Sequence, residues 1–344
     1  MSTRKLLAAG STLLISLRLL AGPGGGTADR LWRAGAAGLA EAARTHEAAA
    51  VSPAVTILPE PTPAAEPAPD PTPASDAKAP SDAAAPDTAP DGRAILPTTL
   101  TGGMTVKNET DYKPDLTALL ASGPGLTLPA EGAQVLIVHT HTSEAYTPDG
   151  VDRYTASGTA RTEDLNYNIV RVGDALAEAF TAQGLTVLHD RTIYDYPSYT
   201  GSYSRSGAAV EAALAANPSI RIVIDLHRDA LSDDQVVYKT VAELPDLACS
   251  QVMLLVGTNA SGLEHPDWEN HLRLAAYLQN AVNTDHPTLM RPITLVKERY
   301  NQHLAPGSLL IEVGSSGNTL QEALRATELF GESAGKALAA LKEG

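Results

Sequence analysis

Short apolar runs alternate with amphipathic stretches along the C-terminal part of the chain. The apolar runs predict buried strands over residues 135–138, 185–188, 220–226, 252–256 and 308–313. Apolar positions at helical spacing predict helices over residues 165–182, 208–216, 268–282 and 320–341. Strands that alternate with helices are typical of an α/β fold. We therefore expect a mostly parallel central sheet with helices on both faces.

Residues 50–95 have a different composition, dominated by Pro, Ala and Asp. Twelve of the 24 prolines fall in or directly beside this segment, which has no aromatic residue and few of the branched apolar residues of a core. We predict a disordered, extended linker that spans about 3.1 Å per residue. Residues 96–130 are interpreted as a connector, in which 115–120 could form a short helix. Residues 131–344 are predicted to form the catalytic domain.

The N-terminal residues 1–24 have the pattern of an export signal or membrane anchor. Arg4 and Lys5 precede an apolar run that Arg18 interrupts. A full membrane span of ~20 apolar residues requires Arg18 to reach the interface. An uncleaved anchor, a cleaved signal and an amphipathic cytoplasmic helix all remain open, and residues 25–49 would follow as a juxtamembrane segment.

The chain is acidic and contains a single cysteine. With 25 Lys and Arg against 40 Asp and Glu, its formal charge is −15, which disfavours nucleic acid as a partner. Cys249 has no second cysteine with which to form an internal disulfide or a multi-Cys zinc site. It is predicted to be a small buried apolar residue, and any metal must be bound by His and carboxylate side chains.

Polar side chains follow or end three of the predicted strands. They are His139, His141 and Glu144 after the first strand, His227 and Arg228 after the third, and Glu312 near the end of the last. In parallel sheets the carboxyl ends of the strands meet at one edge, where ligands bind. The sequence therefore predicts that these side chains meet at one functional site.

Two histidines and a carboxylate are a ligand set that hydrolytic zinc sites use, with an open position for water. His139 or His141, together with Glu144 and His227, can supply it. One histidine would bind the metal directly, and the other could serve in the outer shell, because side chains two apart in an extended segment point the same way. We favour His139 over His141 as the direct ligand. The alternative is that these are ordinary polar residues of surface loops. Their occurrence after two strongly apolar strands favours a site.

Glu312 lies within an apolar strand, where burying an unpaired carboxylate is costly. It should therefore face a crevice, where it could act as the general base for a water molecule. The alternative is a buried salt bridge to Arg228 or Arg299.

Four further residues are candidates for the substrate cleft: Asn168, Tyr199, Arg299 and Asn301. Tyr199 belongs to a tyrosine-rich loop that suits stacking on sugar or peptide faces, although such loops are also often packing. Asn168 precedes a helix and is more simply explained as its cap. Arg299 and Asn301 could equally lie in an ordinary turn.

Several ordered motifs resemble the stage II sporulation protein P family, from about residue 134 to the C-terminus. They are VLIVHTHTSEAY at 135–146, NYNIVRVG at 166–173, HD at 189–190 with YPSY at 196–199, DLHRDA at 225–230, RYNQ at 299–302, LIEVG at 310–314 and NTL at 318–320.

The resemblance implies a membrane-anchored enzyme that acts outside the membrane on peptidoglycan at the sporulation septum. Its domain is similar to the zinc-dependent N-acetylmuramoyl-L-alanine amidases, so the resemblance implies Zn²⁺ as cofactor. The implied reaction is hydrolysis of the amide between N-acetylmuramic acid and L-alanine, and the resemblance also implies cleavage of stem-peptide cross-links. The implied partners are other membrane proteins of the engulfment machinery, including a glycan-cleaving enzyme.

The resemblance also implies roles for individual residues. A histidine after the first strand, a carboxylate and His227 would bind the metal, Glu312 would be the catalytic base, and His141 or Arg228 would steady the oxyanion. The wider amidases begin their first helix with a glutamate ligand. This chain has Glu163 just before the corresponding helix, so the carboxylate ligand is Glu144 or Glu163. We favour Glu144, five residues after His139.

Two other classes of function are alternatives to a metal-dependent amidase. A non-catalytic wall-binding or scaffolding module on the same fold would bind peptidoglycan without turnover. A metal-free esterase ranks last, because the chain has no Gly-x-Ser-x-Gly motif.

Overall fold

The computed structural model of the protein describes residues 94–95, 106–232, 236–245 and 248–343. The predicted anchor, the juxtamembrane segment and nearly all of the linker lie outside the described residues. Within the described part of the chain, no helix is long and apolar enough to cross a membrane.

A seven-stranded sheet forms the centre of the fold, and a separate two-stranded pair joins β1 (Ala94–Ile95) to β6 (Tyr238–Lys239). The order across the large sheet is β2 (Val106–Asn108), β8 (Ile293–Leu295), β7 (Val252–Val256), β9 (Gly307–Ser315), β5 (Ile222–Asp229), β3 (Val135–Val138) and β4 (Val187–His189). Neighbouring strands pair parallel, except β7 and β9, which pair antiparallel. The predicted mostly parallel sheet is confirmed.

Helices cover both faces of this sheet. They are α1 (Leu116–Ala121), α2 (Ile169–Ala182), α3 (Ser202–Ala216), α4 (Trp268–Asp285) and α5 (Leu320–Ala339). Val135 and Ile137 of β3 belong to the core shared with α2, α4 and α5, whereas Leu136 and Val138 belong to the core shared with α3. Because both faces are buried, β3 is apolar at every position, which explains its continuous apolar pattern.

Several elements differ from the sequence-based expectation. Helix α2 begins at Ile169 and not at 165, and β5 continues to Asp229, so that His227 and Arg228 lie within the strand and not after it. Helix α3 begins at Ser202, six residues before the predicted start, because its first turn is polar and carries no apolar stripe. Strands β1, β2, β6 and β8, each of two or three residues, were not predicted. Strand β2 comes from the predicted connector and pairs with β8, so this part of the connector is an edge of the sheet.

The order of β9, β5 and β3 places the candidate residues together. These adjacent strands are parallel, so their carboxyl ends lie at the same edge. The register pairs Val138 with Asp225 and His227 with Glu312. Within the segment between β3 and α2, backbone bridges join Glu144 to Arg161 and Ala145 to Asn168.

Candidate active site

Three buried side chains, His141, Glu144 and His227, form a compact group that could hold a metal ion. One donor atom from each lies within 4.8 Å of the others. Glu144 lies between the two rings, with Oε1 3.5 Å from Nδ1 of His141 and Oε2 3.3 Å from Nδ1 of His227. Two imidazoles and a carboxylate are a common protein ligand set of hydrolytic zinc sites, so the residues present fit this metal.

A tight turn after β3 brings His141 and Glu144 together. The Glu144 amide donates to the His141 carbonyl over 3.1 Å, which closes the turn. The Glu144 carboxylate in turn accepts a hydrogen bond of 3.1 Å from the backbone amide of Arg228. The turn and this bond fix the carboxylate between the end of β3 and the end of β5.

His139 lies outside this group, against the preference from sequence. Its Nδ1 is 2.9 Å from the Leu226 carbonyl, and its Nε2 is 2.8 Å from Nε2 of His189. The chain turns after β3 instead of continuing in extended form, so His139 and His141 point to different places. Burial, and then the neighbouring His189, lowers the pKa of His139 to about 3. His141, and not His139, is therefore the histidine after β3 that lies beside Glu144 and His227.

The space for this histidine pair comes from Gly173 on α2. A Cβ at this position would lie 2.6 Å from Nε2 of both His139 and His189, too close for any side chain. Gly173 thus belongs to the packing of the histidine pair. Glu163, the alternative carboxylate, is exposed on the loop before α2 and is not part of the metal-binding group.

Glu312 occupies the position on β9 that pairs with His227 on β5. Both side chains line the same cleft. Burial, supported by the negative charges of Asp229 and Glu144, raises the pKa of Glu312 to about 8. Its Oε2 has no hydrogen-bond partner among the residues that the structure describes.

The alternative salt bridge from Glu312 to Arg228 or Arg299 does not form. Arg228 is buried and donates instead to the carbonyls of Ala145 and Ala160, each at 2.9 Å. Arg299 donates to the carbonyl of Glu264 at 3.0 Å. Glu312 is therefore a carboxylate directed at the cleft rather than half of an ion pair with either arginine.

The charges within the group reinforce one another. Burial alone would raise the pKa of Glu144, but the Arg228 guanidinium, His227 and hydrogen bonds from both histidines hold it well below its usual range. Burial alone would lower the pKa of His227, but Asp225 and Glu144 raise it well above its usual value. The site therefore favours a positive charge next to an ionised Glu144.

The cleft beside this group has a volume of ≈ 260 Å³, and Tyr199 stands at its rim. The Tyr199 ring stacks on His141, with centroids 4.6 Å apart and planes 26° from parallel. The guanidinium of Arg161 lies 5.0 Å from the centre of the same ring. Arg161 also donates to Asp195 and Ser143 through Nη1, and its Nη2 is 3.7 Å from Glu144 Oε1. Sequence reasoning missed Arg161, because a lone arginine in a loop carries no motif.

The family model described as stage II sporulation protein P (SpoIIP) matches residues 73–333 of the chain. The chain belongs to the stage II sporulation protein P family. It is 29% identical over 203 residues to "Stage II sporulation protein P" of Bacillus subtilis (strain 168). This match covers 56% of the chain and 48% of the relative, so the chain spans about half the length of that relative.

Solved structures of amidases are also similar to this chain, at low sequence identity. The N-acetylmuramoyl-L-alanine amidase from Clostridium difficile 630 is 16% identical, with a TM-score of 0.33 over 61% of this chain and 95% of its own. The catalytic domain of the CD27L endolysin is 17% identical, with a TM-score of 0.36 over 62% of this chain and 98% of its own. Ami1 from Mycobacterium smegmatis is 12% identical, with a TM-score of 0.36 over the same shares. TM-scores of this size support no conclusion about function.

Two residues that were predicted from sequence to line the substrate cleft make structural contacts away from it. Asn168 is buried and caps α2, because its side chain accepts from the Val170 amide and donates to the Thr162 carbonyl, each over 3.0 Å. Asn301 donates to the carbonyl of Tyr203 over 2.8 Å. Neither lines the cleft.

The sequence also predicted that Arg299 lines the cleft and that Arg228 stabilises the oxyanion. Arg299 does not line the cleft. Arg228 does, but its guanidinium is committed to backbone carbonyls, so it holds the loop after β3 in place. Of the four predicted cleft residues, only Tyr199 lies at the cleft.

Proposed function

We propose that this protein is a zinc-dependent peptidoglycan hydrolase that cleaves the amide between N-acetylmuramic acid and L-alanine. One observation carries the proposal: the buried group of His141, Glu144 and His227 faces the same cleft as Glu312. Membership of the stage II sporulation protein P family supports it.

His141, Glu144 and His227 would hold the metal through one ring nitrogen of each histidine and the carboxylate. Zinc in such a site polarises the substrate carbonyl and lowers the pKa of a water molecule. Because Glu144 is already held ionised, its carboxylate supplies a negative charge to a divalent cation, which would take the place of the proton on His227.

Glu312 accepts the proton of the attacking water and delivers it to the leaving amine. A pKa of about 8 in the metal-free protein is close to working pH, which suits a group that must both take and return a proton. A cation beside Glu312 favours its ionised form, so the base is ready to accept.

Arg161 and Tyr199 are the groups that we assign to substrate contact. Nη2 of Arg161 faces the metal-binding group from 3.7 Å and can donate to the carbonyl oxygen as charge develops there. This role was predicted for His141 or Arg228. We now assign His141 to the metal, and Arg228 donates from Nε, Nη1 and Nη2 to backbone carbonyls. The ring of Tyr199 is 38% exposed and can stack on a sugar or peptide face.

We also propose where the reaction takes place and which partner proteins take part. The basic and apolar pattern of residues 1–24 supports a membrane tether with the catalytic domain outside the membrane. The family supports a role in septal thinning during sporulation and engulfment, with other engulfment proteins, including a glycan-cleaving enzyme, as partners. Cleavage of stem-peptide cross-links belongs to the same proposal.

Digestion of purified sacculi tests the reaction. The zinc-loaded chain should release stem peptides with a free amino group on L-alanine, detected by mass spectrometry. His227→Ala and Glu312→Gln should each reduce release by about 100-fold or more, because one removes a ligand and the other the base. Glu163→Gln makes the same chemical change at an exposed glutamate outside the group and should keep wild-type activity.

The products also separate the alternatives. Sacculi that bind the zinc-loaded protein without any turnover would identify the scaffolding module. Fragments whose new ends lie only within the cross-links would show an endopeptidase and remove the amidase assignment.

A further inference from the structure

Asp225 is a buried carboxylate of β5, two residues before His227. Residues two apart on a strand point to the same face, and Oδ1 of Asp225 lies 2.9 Å from Nε2 of His227. On the other side of the ring, Nδ1 lies 3.3 Å from Glu144 Oε2. The His227 ring therefore has a carboxylate oxygen beside each nitrogen. The contact between Nε2 and Asp225 is short, although it lacks the geometry of a regular hydrogen bond in this structure.

The two carboxylates have different surroundings. Glu144 belongs to the metal-binding group and lines the cleft, whereas Asp225 is outside that group and does not line the cleft. Asp225 instead accepts two hydrogen bonds from Thr140, of 2.8 Å from the amide and 2.7 Å from the hydroxyl. Asp225 thus contacts one of the two proposed histidine ligands, His227. It also contacts Thr140, which directly precedes the other histidine ligand, His141.

A histidine that binds a metal through one ring nitrogen usually donates the N–H of the other to a carboxylate or carbonyl. This second bond fixes which nitrogen carries the proton, and so which nitrogen is free to bind. Nε2 of His227 is the nitrogen beside Asp225, and Nδ1 is the nitrogen that faces Glu144 and the group.

We propose that Asp225 is the positioning residue of this centre: it keeps the His227 proton on Nε2 and so directs Nδ1 to the metal. Through Thr140 it also fixes the turn that carries His141 relative to β5. This inference rests on the proposed metal-dependent function and adds to it the orientation of the ligand.

Metal affinity of the full chain tests the role of Asp225. Zinc-free protein is titrated with zinc in competition with a chromogenic chelator, and Asp225→Asn should bind about 10- to 100-fold more weakly than the wild type. The visible absorption of the cobalt-loaded protein should also change in this variant, because the geometry of the ligands changes.

The matched control is Asp190→Asn. Asp190 is also a buried aspartate, and it accepts from the Thr192 amide over 3.0 Å and from the Tyr194 hydroxyl. It makes no contact with the metal-binding group, so this variant should keep wild-type affinity and the wild-type cobalt spectrum. A loss of affinity in both variants would indicate general damage to the fold and overturn the specific role of Asp225.

The ring nitrogens of wild-type protein give a test that needs no variant at Asp225. In zinc-loaded protein labelled with ¹⁵N-histidine, with His227 assigned by His227→Ala, Nε2 should carry the proton and Nδ1 should show the shift of a metal-bound nitrogen. The reverse pattern, or unchanged zinc affinity in Asp225→Asn, overturns the inference alone. A wild-type chain that binds no zinc overturns both this inference and the proposed function.

Discussion

His265 and His271 are buried, and their ring centroids lie 5.0 Å apart. Nε2 of His271 contacts the Ala305 carbonyl at 3.0 Å, but its Nδ1 and both ring nitrogens of His265 have no hydrogen-bond partner among the described residues. Burial, and then the neighbouring His271, lowers the pKa of His265 to about 3. In His227 the same side chain has its pKa raised by two carboxylates. The charge of each histidine is therefore determined by the residues that surround it.

His265→Phe should make the protein less sensitive to acid. The pKa of His265 is 6.5 in the unfolded chain and about 3 in the folded one, so below pH 6.5 the unfolded state binds more protons and stability falls as the pH falls. Phe cannot be protonated and leaves no unpaired ring nitrogen. We expect the loss of stability between pH 7 and pH 5, measured by urea unfolding, to shrink by on the order of 1–2 kcal/mol.

His286→Phe is the control for this prediction, because His286 is only partly buried at the end of α4. In His286→Phe, the difference in unfolding free energy between pH 7 and pH 5 should be the same as in the wild type. An equal acid sensitivity in wild type and His265→Phe would show that His265 does not contribute to it.

At the scale of elements, the starts of the helices fix the loops that carry the site. Helix α2 begins directly after Asn168, whose side chain ties the first turn to Thr162. Helix α5 begins with a capping box formed by Thr319 and Glu322, and Glu322 also pairs with buried Lys239 at 2.6 Å. Because these caps satisfy free backbone amides, each helix starts at a defined residue.

Asn168→Ala should reduce stability without changing the chemistry. Loss of an N-cap side chain costs about 0.5–2 kcal/mol, to be measured as the free energy of unfolding in urea. Release of stem peptides well below the unfolding temperature should stay at the wild-type rate, since Asn168 does not line the cleft. Asn166→Ala, at an exposed neighbour, should change neither quantity. A selective loss of turnover in Asn168→Ala would return Asn168 to the substrate site.

At the scale of the whole molecule, the proposed ligands join distant parts of the chain. His141 and Glu144 follow β3, whereas His227 lies on β5, and strand β9 brings Glu312 beside them. Strand β2 adds Lys107 to the lining of the same cleft. These segments converge only when the sheet is complete, so a ligand at this point binds the folded state and not the unfolded one.

Removal of zinc should therefore lower the melting temperature. A ligand at 100 times its dissociation constant stabilises the folded state by about 2.7 kcal/mol, and a chelator removes this contribution. Thermal unfolding with zinc and with chelator should differ clearly for the wild type and for Glu163→Gln. The two curves should coincide for His227→Ala. A wild type indifferent to the chelator would contradict a metal at this site.

Local properties of the sequence were enough to predict the architecture. Apolar runs such as 135–138 arise because both faces of a central strand are buried, and helical spacing arises because one stripe of each helix is buried. The same runs placed Glu144 and His227 after predicted strands and Glu312 near the end of another. The direction of a parallel strand then determines the edge at which these residues meet.

Other features were decided only by the tertiary structure. The choice of His141 over His139 depends on a turn at Thr140, which Asp225 holds from β5, 85 positions further along the chain. Arg161 reaches the cleft through contacts with Asp195, and Asn301 is turned towards Tyr203 instead. The direction of a side chain beyond a strand end is set by backbone angles and by hydrogen bonds to distant segments. Local sequence patterns specify neither these backbone angles nor these long-range hydrogen bonds.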